Sequence, residues 1–192
     1  MTTSGDVLTF GSGDEWEDWL ETNHETAPDA WLRIAKSRST VAGITIGAAL
    51  DGALCFGWID GQRRSNDADS FLQRYSPRRS TSSWSRINVE RFEALAAAGR
   101  VRPAGFAAVD AAKADGRWDA AYASQRTAEA PAELTEAMAA VPKAQAVFNA
   151  LNRSERYLTI LPVLKARSTA RRAVIVAQIV EDLAARTVPP GD

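Results

Sequence analysis

The chain has very few of the residues that form metal sites and disulfides. Its 192 residues include one cysteine, Cys55, and one histidine, His24. A single cysteine forms no intramolecular disulfide, and these two residues are too few ligands for a zinc or iron–sulfur site. We therefore predict no metal, no cofactor and a reducing compartment.

The sequence also lacks a hydrophobic run long enough to cross a bilayer, and its first ten residues lack the basic and apolar regions of a signal peptide. These absences predict no membrane association and a cytoplasmic location. The formal net charge is −1, which argues against nucleic acid as a partner. With 45% hydrophobic residues, the chain can bury one core, or one core plus a helical appendage.

Charge is distributed unevenly along the chain. Residues 1–62 contain ten acids and three bases, whereas residues 63–102 contain nine arginines and four acids. Arginine suits planar, bidentate recognition of carboxylate or phosphate better than lysine does. Two interpretations stay open: the arginine-rich segment binds an anionic partner, or it docks internally on the acidic first third.

Hydrophobic periodicity predicts an α+β fold that is predominantly helical, with a small antiparallel sheet in the N-terminal half and a C-terminal helical module. We place an α+β domain at residues 1–125 and the helical module at residues 131–188. A polar, proline-bounded linker, Ser124 to Pro131, separates them. In the module, the amphipathic helix Arg172 to Arg186 offers a face for a homodimer.

Helix-capping and turn residues mark the ends of the predicted elements in the first domain. Ser12 or Asp14 can cap a first helix, and Ser82 or Ser83 a later one. Between them, residues 44–55 predict a buried helix that Gly57 ends. Trp58 then begins a hairpin with its tip at residues 65–67 and its return strand at Phe71 to Tyr75.

Two neighbouring blocks, residues 53–61 and 75–88, concentrate acid, arginine, tryptophan and hydroxyl side chains. A helix that begins near Ser83 would direct free N–H groups at an anion, and two indoles could stack on a ring. The predicted ligand site consists of Trp58, Asp60, Arg74, Arg78, Arg79, Ser82, Ser83, Trp84, Ser85, Arg86 and Asn88. In the structural alternative, the serines only cap the helix, the tryptophans fill the core and the arginines hold acidic neighbours.

Asp60 and Cys55 also allow two interpretations each. Asp60 shares a strand face with Trp58, so it could act as a general base or accept a ligand hydrogen bond. In the structural alternative it pairs with Arg74 on the neighbouring strand or accepts hydrogen bonds from turn N–H groups. Cys55 is predicted to be a small buried hydrophobe. The alternative is a nucleophile with His24 as its base.

Four blocks together resemble the bacteriocin-protection family, also described as the YdeI or OmpD-associated family. These are Ala53-Leu-Cys-Phe-Gly-Trp-Ile-Asp-Gly61, Ser76-Pro-Arg-Arg79, Ser83-Trp-Ser-Arg-Ile-Asn88 and Gly116-Arg-Trp-Asp-Ala-Ala-Tyr122. The resemblance covers nearly the whole length. It departs at Gly47-Ala48, where members carry a Glu-Ala pair, and at Ser168-Thr-Ala-Arg-Arg172, where members carry a Thr-Arg signature. The resemblance implies a bacterial cytoplasmic protein of unassigned activity.

The predicted function is the binding of a small anionic ligand with a planar part, such as a nucleotide or an aromatic acid. The first alternative is a nucleic-acid-binding protein that uses the arginine-rich segment 63–102. The second is an enzyme of unknown reaction, with Asp60 as the base and the arginines as anion clamps.

Overall fold

The computed structural model describes residues 6–186, which form two compact units separated in sequence between Ala121 and Tyr122. These residues hold eight helices and one four-stranded sheet, and the sheet lies wholly in the first unit. The predicted α+β class is confirmed. The predicted domain limits at residues 125 and 131 stay predictions. Within the described chain, no helix combines the length and hydrophobicity that crossing a membrane requires.

The first unit alternates strands and helices before it ends in two helices. Its elements are β1 (Val7–Leu8), α1 (Gly13–Asn23), β2 (Ala30–Ala35), α2 (Ile46–Cys55), β3 (Trp58–Ser65), β4 (Ser70–Pro77), α3 (Arg86–Ala97) and α4 (Pro103–Ala114).

The sheet has the strand order β1-β2-β4-β3. As predicted, β4 runs antiparallel to both of its neighbours. The first pair differs, because Val7 and Leu8 of β1 pair with β2 in parallel. Helix α1 joins these two strands, and a helical crossover returns the chain to the same end of the sheet. The sheet is therefore mixed, and the prediction of an antiparallel sheet is wrong for this pair.

The β3–β4 hairpin turns where the sequence predicted. The Asp67 carboxylate accepts hydrogen bonds from the backbone N–H groups of Asp69 and Ser70, which closes the tip. The ladder is irregular between Asp60 and Arg63. There the side chain of Gln73, which is 2% exposed, donates to two carbonyls of β3 and satisfies them.

Helix caps follow the predictions at α1 but not at α3. The Ser12 hydroxyl accepts from the Glu15 N–H at the start of α1, as expected. Helix α3 begins later than predicted, because Ser85 caps it by accepting from Asn88 N. The Ser82 hydroxyl instead accepts from the backbone of Arg79 in a preceding turn. The predicted caps Ser82 and Ser83 are therefore wrong.

Gly57 ends the α2 segment with a positive φ of 73°, as its position predicted. A Cβ at this residue would lie 2.7 Å from the carbonyl oxygen of Ala104, at the start of α4. The glycine thus supplies both a left-handed turn and the room for close packing of α4.

The core of the first unit is rich in aromatic residues. Trp16, Trp58, Tyr75 and Trp84 are each at most 1% exposed and share this core with Leu32 and Ile34 of β2. Burial of such rings dominates the stabilisation of a small core.

From Ala132 onward the described part of the second unit consists of helices joined by short loops, as predicted. Its elements are α5 (Ala132–Ala139), α6 (Pro142–Ala150), α7 (Arg153–Lys165) and α8 (Thr169–Ala185). It has its own core, in which Leu134, Met138, Val163 and Leu183 are at most 1% exposed. Val174 of α8 is 59% exposed, and the predicted homodimer through this helix stays a prediction.

Candidate functional site

The structure places both tryptophans of the predicted ligand site in the core of the first unit. Trp58 and Trp84 are each 1% exposed. The Trp58 indole donates to the His24 carbonyl at 3.2 Å and packs edge-on against Trp16 and Trp19. Trp58 therefore contributes to packing in this structure.

Trp84 is enclosed by other parts of the first unit. Trp118 packs edge-on against it at 4.8 Å between ring centroids, and the Arg78 guanidinium lies 3.4 Å from its ring centroid. Arg78 also donates to the Ser83 carbonyl, and Arg117 donates to the Ser82 carbonyl. The last three blocks of the family resemblance thus meet around one buried indole.

The remaining polar members of the predicted ligand site have mixed surroundings. Ser85 caps α3 and Asn88 supplies the capped N–H, whereas Ser82 serves the turn that begins at Arg79. The side chains of Arg79 and Arg86 are exposed and form no hydrogen bond or ion pair with any described residue. These two arginines are the cationic members of the predicted site that a ligand from solution can reach most easily.

The arginine-rich segment docks in part on the acidic first third of the chain. Four of its nine arginines form ion pairs with that third: Arg74 with Asp29, Arg91 with Asp51, Arg100 with Glu17 and Arg102 with Glu21. Three more lie over aromatic rings, namely Arg63 over Phe71, Arg64 over Trp31 and Arg78 over Trp84. The internal interpretation left open by the sequence therefore accounts for four of the nine arginines, and three more are held by ring contacts within the first unit.

Asp60 is exposed and does not pair with Arg74, in contrast to the structural alternative predicted for it. It lies opposite Tyr75 in the β3–β4 ladder, and Arg74 binds Asp29 through Nε and Nη2 at 3.0 and 2.6 Å. Burial and the nearby Asp60 carboxylate raise the pKa of Tyr75. The role of Asp60 as a base stays a prediction.

Cys55 is fully buried, which confirms its prediction as a small core residue. Burial is the main cause that raises the pKa of its thiol to about 11. His24, its proposed partner, binds the Leu20 carbonyl through Nδ1 at 2.8 Å. A thiol with this pKa is protonated at neutral pH, so the nucleophile interpretation has no support here.

The second unit contains a cavity that the sequence did not predict. It has a volume of about 540 Å³ and lies between the segment before α5, the end of α6 and the first turns of α7. Three arginines, Arg126, Arg153 and Arg156, and one acid, Glu129, line it. Its apolar lining includes Phe148, Leu151, Tyr157 and Ile160.

Two of these guanidinium groups are fixed by main-chain carbonyls. Arg153 donates from Nε to the Gln125 carbonyl and from Nη2 to the Arg126 carbonyl. Arg156 donates from Nε to the Leu151 carbonyl and from Nη2 to the Asn149 carbonyl. A guanidinium carries five N–H donors, so each retains N–H groups on its other edge. Both groups are therefore oriented and still able to bind an anion.

The charge of this arginine cluster is not neutralised by a carboxylate. None of the three arginines forms an ion pair within residues 6–186. The neighbouring Glu155 carboxylate is occupied, because it accepts from the Asn152 N–H in the capping box that starts α7. Carbonyl partners hold a guanidinium without cancelling its net charge, and the lining carries three arginines against the single acid Glu129, so the cavity wall stays cationic.

The apolar side of the cavity is part of the core of the second unit. Phe148 is 7% exposed and Ile160 is 3% exposed. Tyr157 donates to the Ala123 carbonyl at 3.3 Å, and partial burial raises its pKa. The apolar part of a ligand bound by the arginines would therefore contact side chains that are already packed in the core.

Sequence reasoning missed this cavity because its residues come from three separate segments. One signal was available: Asn152-Arg-Ser-Glu155 reads as a capping box, and Arg153 and Arg156 are three residues apart on the helix that follows. The Phe148 ring and the Arg126 side chain join them only through the tertiary fold.

Comparison with protein families gives two matches. Residues 8–108 match the model described as a domain of unknown function, DUF8412. Residues 127–186 match the family described as bacteriocin-protection, YdeI or OmpD-associated. No curated protein and no solved structure matches the chain.

The second match confirms the family resemblance but falls on a different part of the chain from the blocks that suggested it. All four blocks precede residue 127, and the first three lie within the region of the first match. The match at residues 127–186 includes Phe148, Arg153 and Arg156 of the cavity. The first match covers more than half of the chain, which therefore belongs to the DUF8412 family and carries a C-terminal unit similar to the bacteriocin-protection, YdeI or OmpD-associated family.

Proposed function

We propose that this protein binds a small organic anion with an aromatic body, and that the cavity of the C-terminal unit is the binding site. The observation that carries the proposal is the group of Arg126, Arg153 and Arg156, which line an apolar cavity without a carboxylate partner. A cationic wall beside Phe148 and Ile160 matches a ligand with a charged head and an apolar ring.

The size and rigidity of the cavity support this ligand class. A volume of about 540 Å³ lies within the range of about 300–1,000 Å³ that is usual for small-molecule sites. Arg153 and Arg156 are held before the ligand arrives, so binding orders fewer side-chain rotamers. A carboxylate can then accept two parallel N–H bonds from the free edge of either group.

The residues predicted from the sequence offer a competing location for the same ligand class. Arg79 and Arg86 are exposed near the start of α3, and the N–H groups there are typical of anion sites. Both indoles of that set are buried, so the ligand would bind there through charge alone. We favour the cavity because it combines charge with an apolar wall. A cytoplasmic location is part of the proposal.

Calorimetric titration of the full chain with 2-naphthoate and its neutral analogue 2-naphthamide tests the proposal. We expect 2-naphthoate to bind and 2-naphthamide to bind at least tenfold more weakly, because only the carboxylate forms charge-assisted bonds. Arg126→Gln should weaken 2-naphthoate binding by about tenfold. This arginine makes no side-chain hydrogen bond within the described chain, so its removal should spare the fold.

Arg171→Gln is the matched control in the same unit, because this exposed arginine of α8 lies outside the cavity lining. It should leave the affinity unchanged. Loss of binding in Arg79→Gln with normal binding in Arg126→Gln would move the site to the sequence-predicted residues. Equal binding of the two naphthalene compounds would refute recognition of the anion.

A further inference from the structure

A second cationic cleft lies in the first unit, apart from the residues of the proposed function. It has a volume of about 490 Å³ and is bounded by the end of β2, the segment that follows it, the first residue of α2 and the β3–β4 hairpin. Three cations, Lys36, Arg38 and Arg63, line it together with one acid, Asp69. The lining therefore carries an excess of two positive charges.

Two of these cations are held in place by neutral partners. The Lys36 ammonium donates to the carbonyls of Asp67 and Ala68 at 2.7 and 3.1 Å, which leaves one of its three N–H groups available. Arg63 donates from Nε to the Gln73 side-chain oxygen at 3.1 Å, and its guanidinium lies 4.3 Å from the Phe71 ring centroid.

The third cation, Arg38, is exposed and forms no hydrogen bond or ion pair with a described residue. Neither Lys36 nor Arg63 forms an ion pair with a described carboxylate. This differs from the four arginines of the same unit that dock on acidic residues. Charge that is fixed in position but not neutralised is available to an anion from solution.

The cleft also has an apolar wall. Ile46, which is 38% exposed, and Phe71 both belong to its lining. The Ser37 hydroxyl adds a donor between Lys36 and Arg38. A ligand here would meet three cations and a small apolar surface, which adjoin where Arg63 lies over Phe71.

We propose that this cleft binds a phosphate monoester, with the phosphate held by Lys36, Arg38 and Arg63 and the organic group against Ile46 and Phe71. A phosphate monoester carries about −1.5 to −2 charge at pH 7 and presents three strong acceptor oxygens. Three cations and one acid match that charge better than a monocarboxylate would. The compact lysine ammonium also suits a phosphate oxygen, which needs no planar fork.

Titration of the full chain with butyl phosphate, a phosphate monoester without the aromatic ring of the ligand class proposed for the second unit, tests this inference by ³¹P NMR and calorimetry. We expect binding that weakens by about five- to tenfold in Arg38→Gln and stays unchanged in the control Arg171→Gln, at an exposed arginine that lines neither site. Affinity should also fall as the pH drops through about 6, where the phosphate takes up its second proton.

Two variants separate this cleft from the site of the proposed function. Arg126→Gln should leave butyl phosphate binding unchanged, and Arg38→Gln should leave 2-naphthoate binding unchanged. If Arg126→Gln abolishes butyl phosphate binding, the cleft inference fails while the cavity of the second unit stands. Absence of butyl phosphate binding, or equal loss in Arg171→Gln, also overturns it.

Discussion

The two units of this protein use arginine in different ways. In the first unit, four arginines of the segment 63–102 pair with carboxylates, as Arg74 does with Asp29. In the second unit, Arg153 and Arg156 donate to main-chain carbonyls instead. A carboxylate both fixes and neutralises a guanidinium, whereas a carbonyl only fixes it. Arginine density along the sequence is therefore a poorer guide to an anion site than the identity of the partners.

The second unit also contains a carboxylate pair, so the contrast lies between the arginines of the cavity and the paired arginines rather than between all arginines of the two units. Arg172 of α8 donates to Glu133 of α5, and neither residue lines the cavity. In the second unit, the arginines that donate to carbonyls border the apolar cavity, whereas the arginine that pairs with a carboxylate does not.

The largest expected effect is a loss of folding stability. It tests whether the arginine and tryptophan residues of the first unit serve the fold rather than a ligand. Trp84→Ala should destabilise the protein by about 3–5 kcal/mol, because it removes a fully buried ring and leaves a cavity beside Trp118 and Arg78. Urea unfolding measures this loss. Ile87→Ala, at a side chain that is 46% exposed, should cost less than about 1 kcal/mol.

Trp84→Phe gives a milder second variant. It should stay folded and keep its affinity for 2-naphthoate, because the ring does not line the cavity of the second unit. A clear loss of 2-naphthoate binding in this variant would show that the comparison between the units is wrong.

The next prediction concerns Cys55, the one thiol of the first unit. Its pKa is about 11 in the folded chain, against about 8.5 for an unfolded thiol. Because the folded pKa is raised, the resulting stability is fully present below about pH 8.5 and is lost as the pH rises toward 11. Over that window the wild type should lose stability relative to Cys55→Ala, which has no thiol to ionise.

Tyr75 also has a raised pKa, and it is present in both proteins. Its effect on the pH dependence of stability therefore cancels when wild type and Cys55→Ala are compared. At neutral pH, Cys55 should react with a thiol reagent only after unfolding. Rapid reaction of the native protein would contradict its structural role.

The smallest expected effect is the loss of one ion pair, between Arg74 and Asp29. Asp29→Asn removes the charged partner of Arg74, and we expect a loss of about 1 kcal/mol, because the pair is partly exposed. Chemical denaturation measures the loss. Asp119→Asn, at an exposed aspartate without an ion pair among the described residues, should be neutral. Equal stability of both variants would show that this docking pair contributes nothing measurable.

Local features of the fold were predictable from the sequence because local chemistry sets them. Ser12 caps α1, Gly57 takes a positive φ and Asp67 closes the hairpin where the residue types indicated. The start of α3 was missed because the segment Ser82 to Ser85 offers three serines, and tertiary contacts around Trp84 and Arg117 select Ser85.

The sequence could not show whether the side chains of the predicted site are accessible to a ligand. The residues around Trp58 and Trp84 suggest both a core and a binding surface, and only the fold shows that both rings are buried. The cavity of the second unit was missed for the opposite reason, because Arg126, Phe148 and Arg156 come together only through folding.

The most direct test of the central claim is the position of a bound aromatic anion. With 2-naphthoate bound to the full chain, nuclear Overhauser effects from the naphthalene protons should reach the methyl groups of Ile160 and Leu151, which line the cavity. Those of Ile34 and Ile59 in the first unit should show none. Contacts confined to methyl groups of the first unit would contradict the assignment of anion binding to the C-terminal unit.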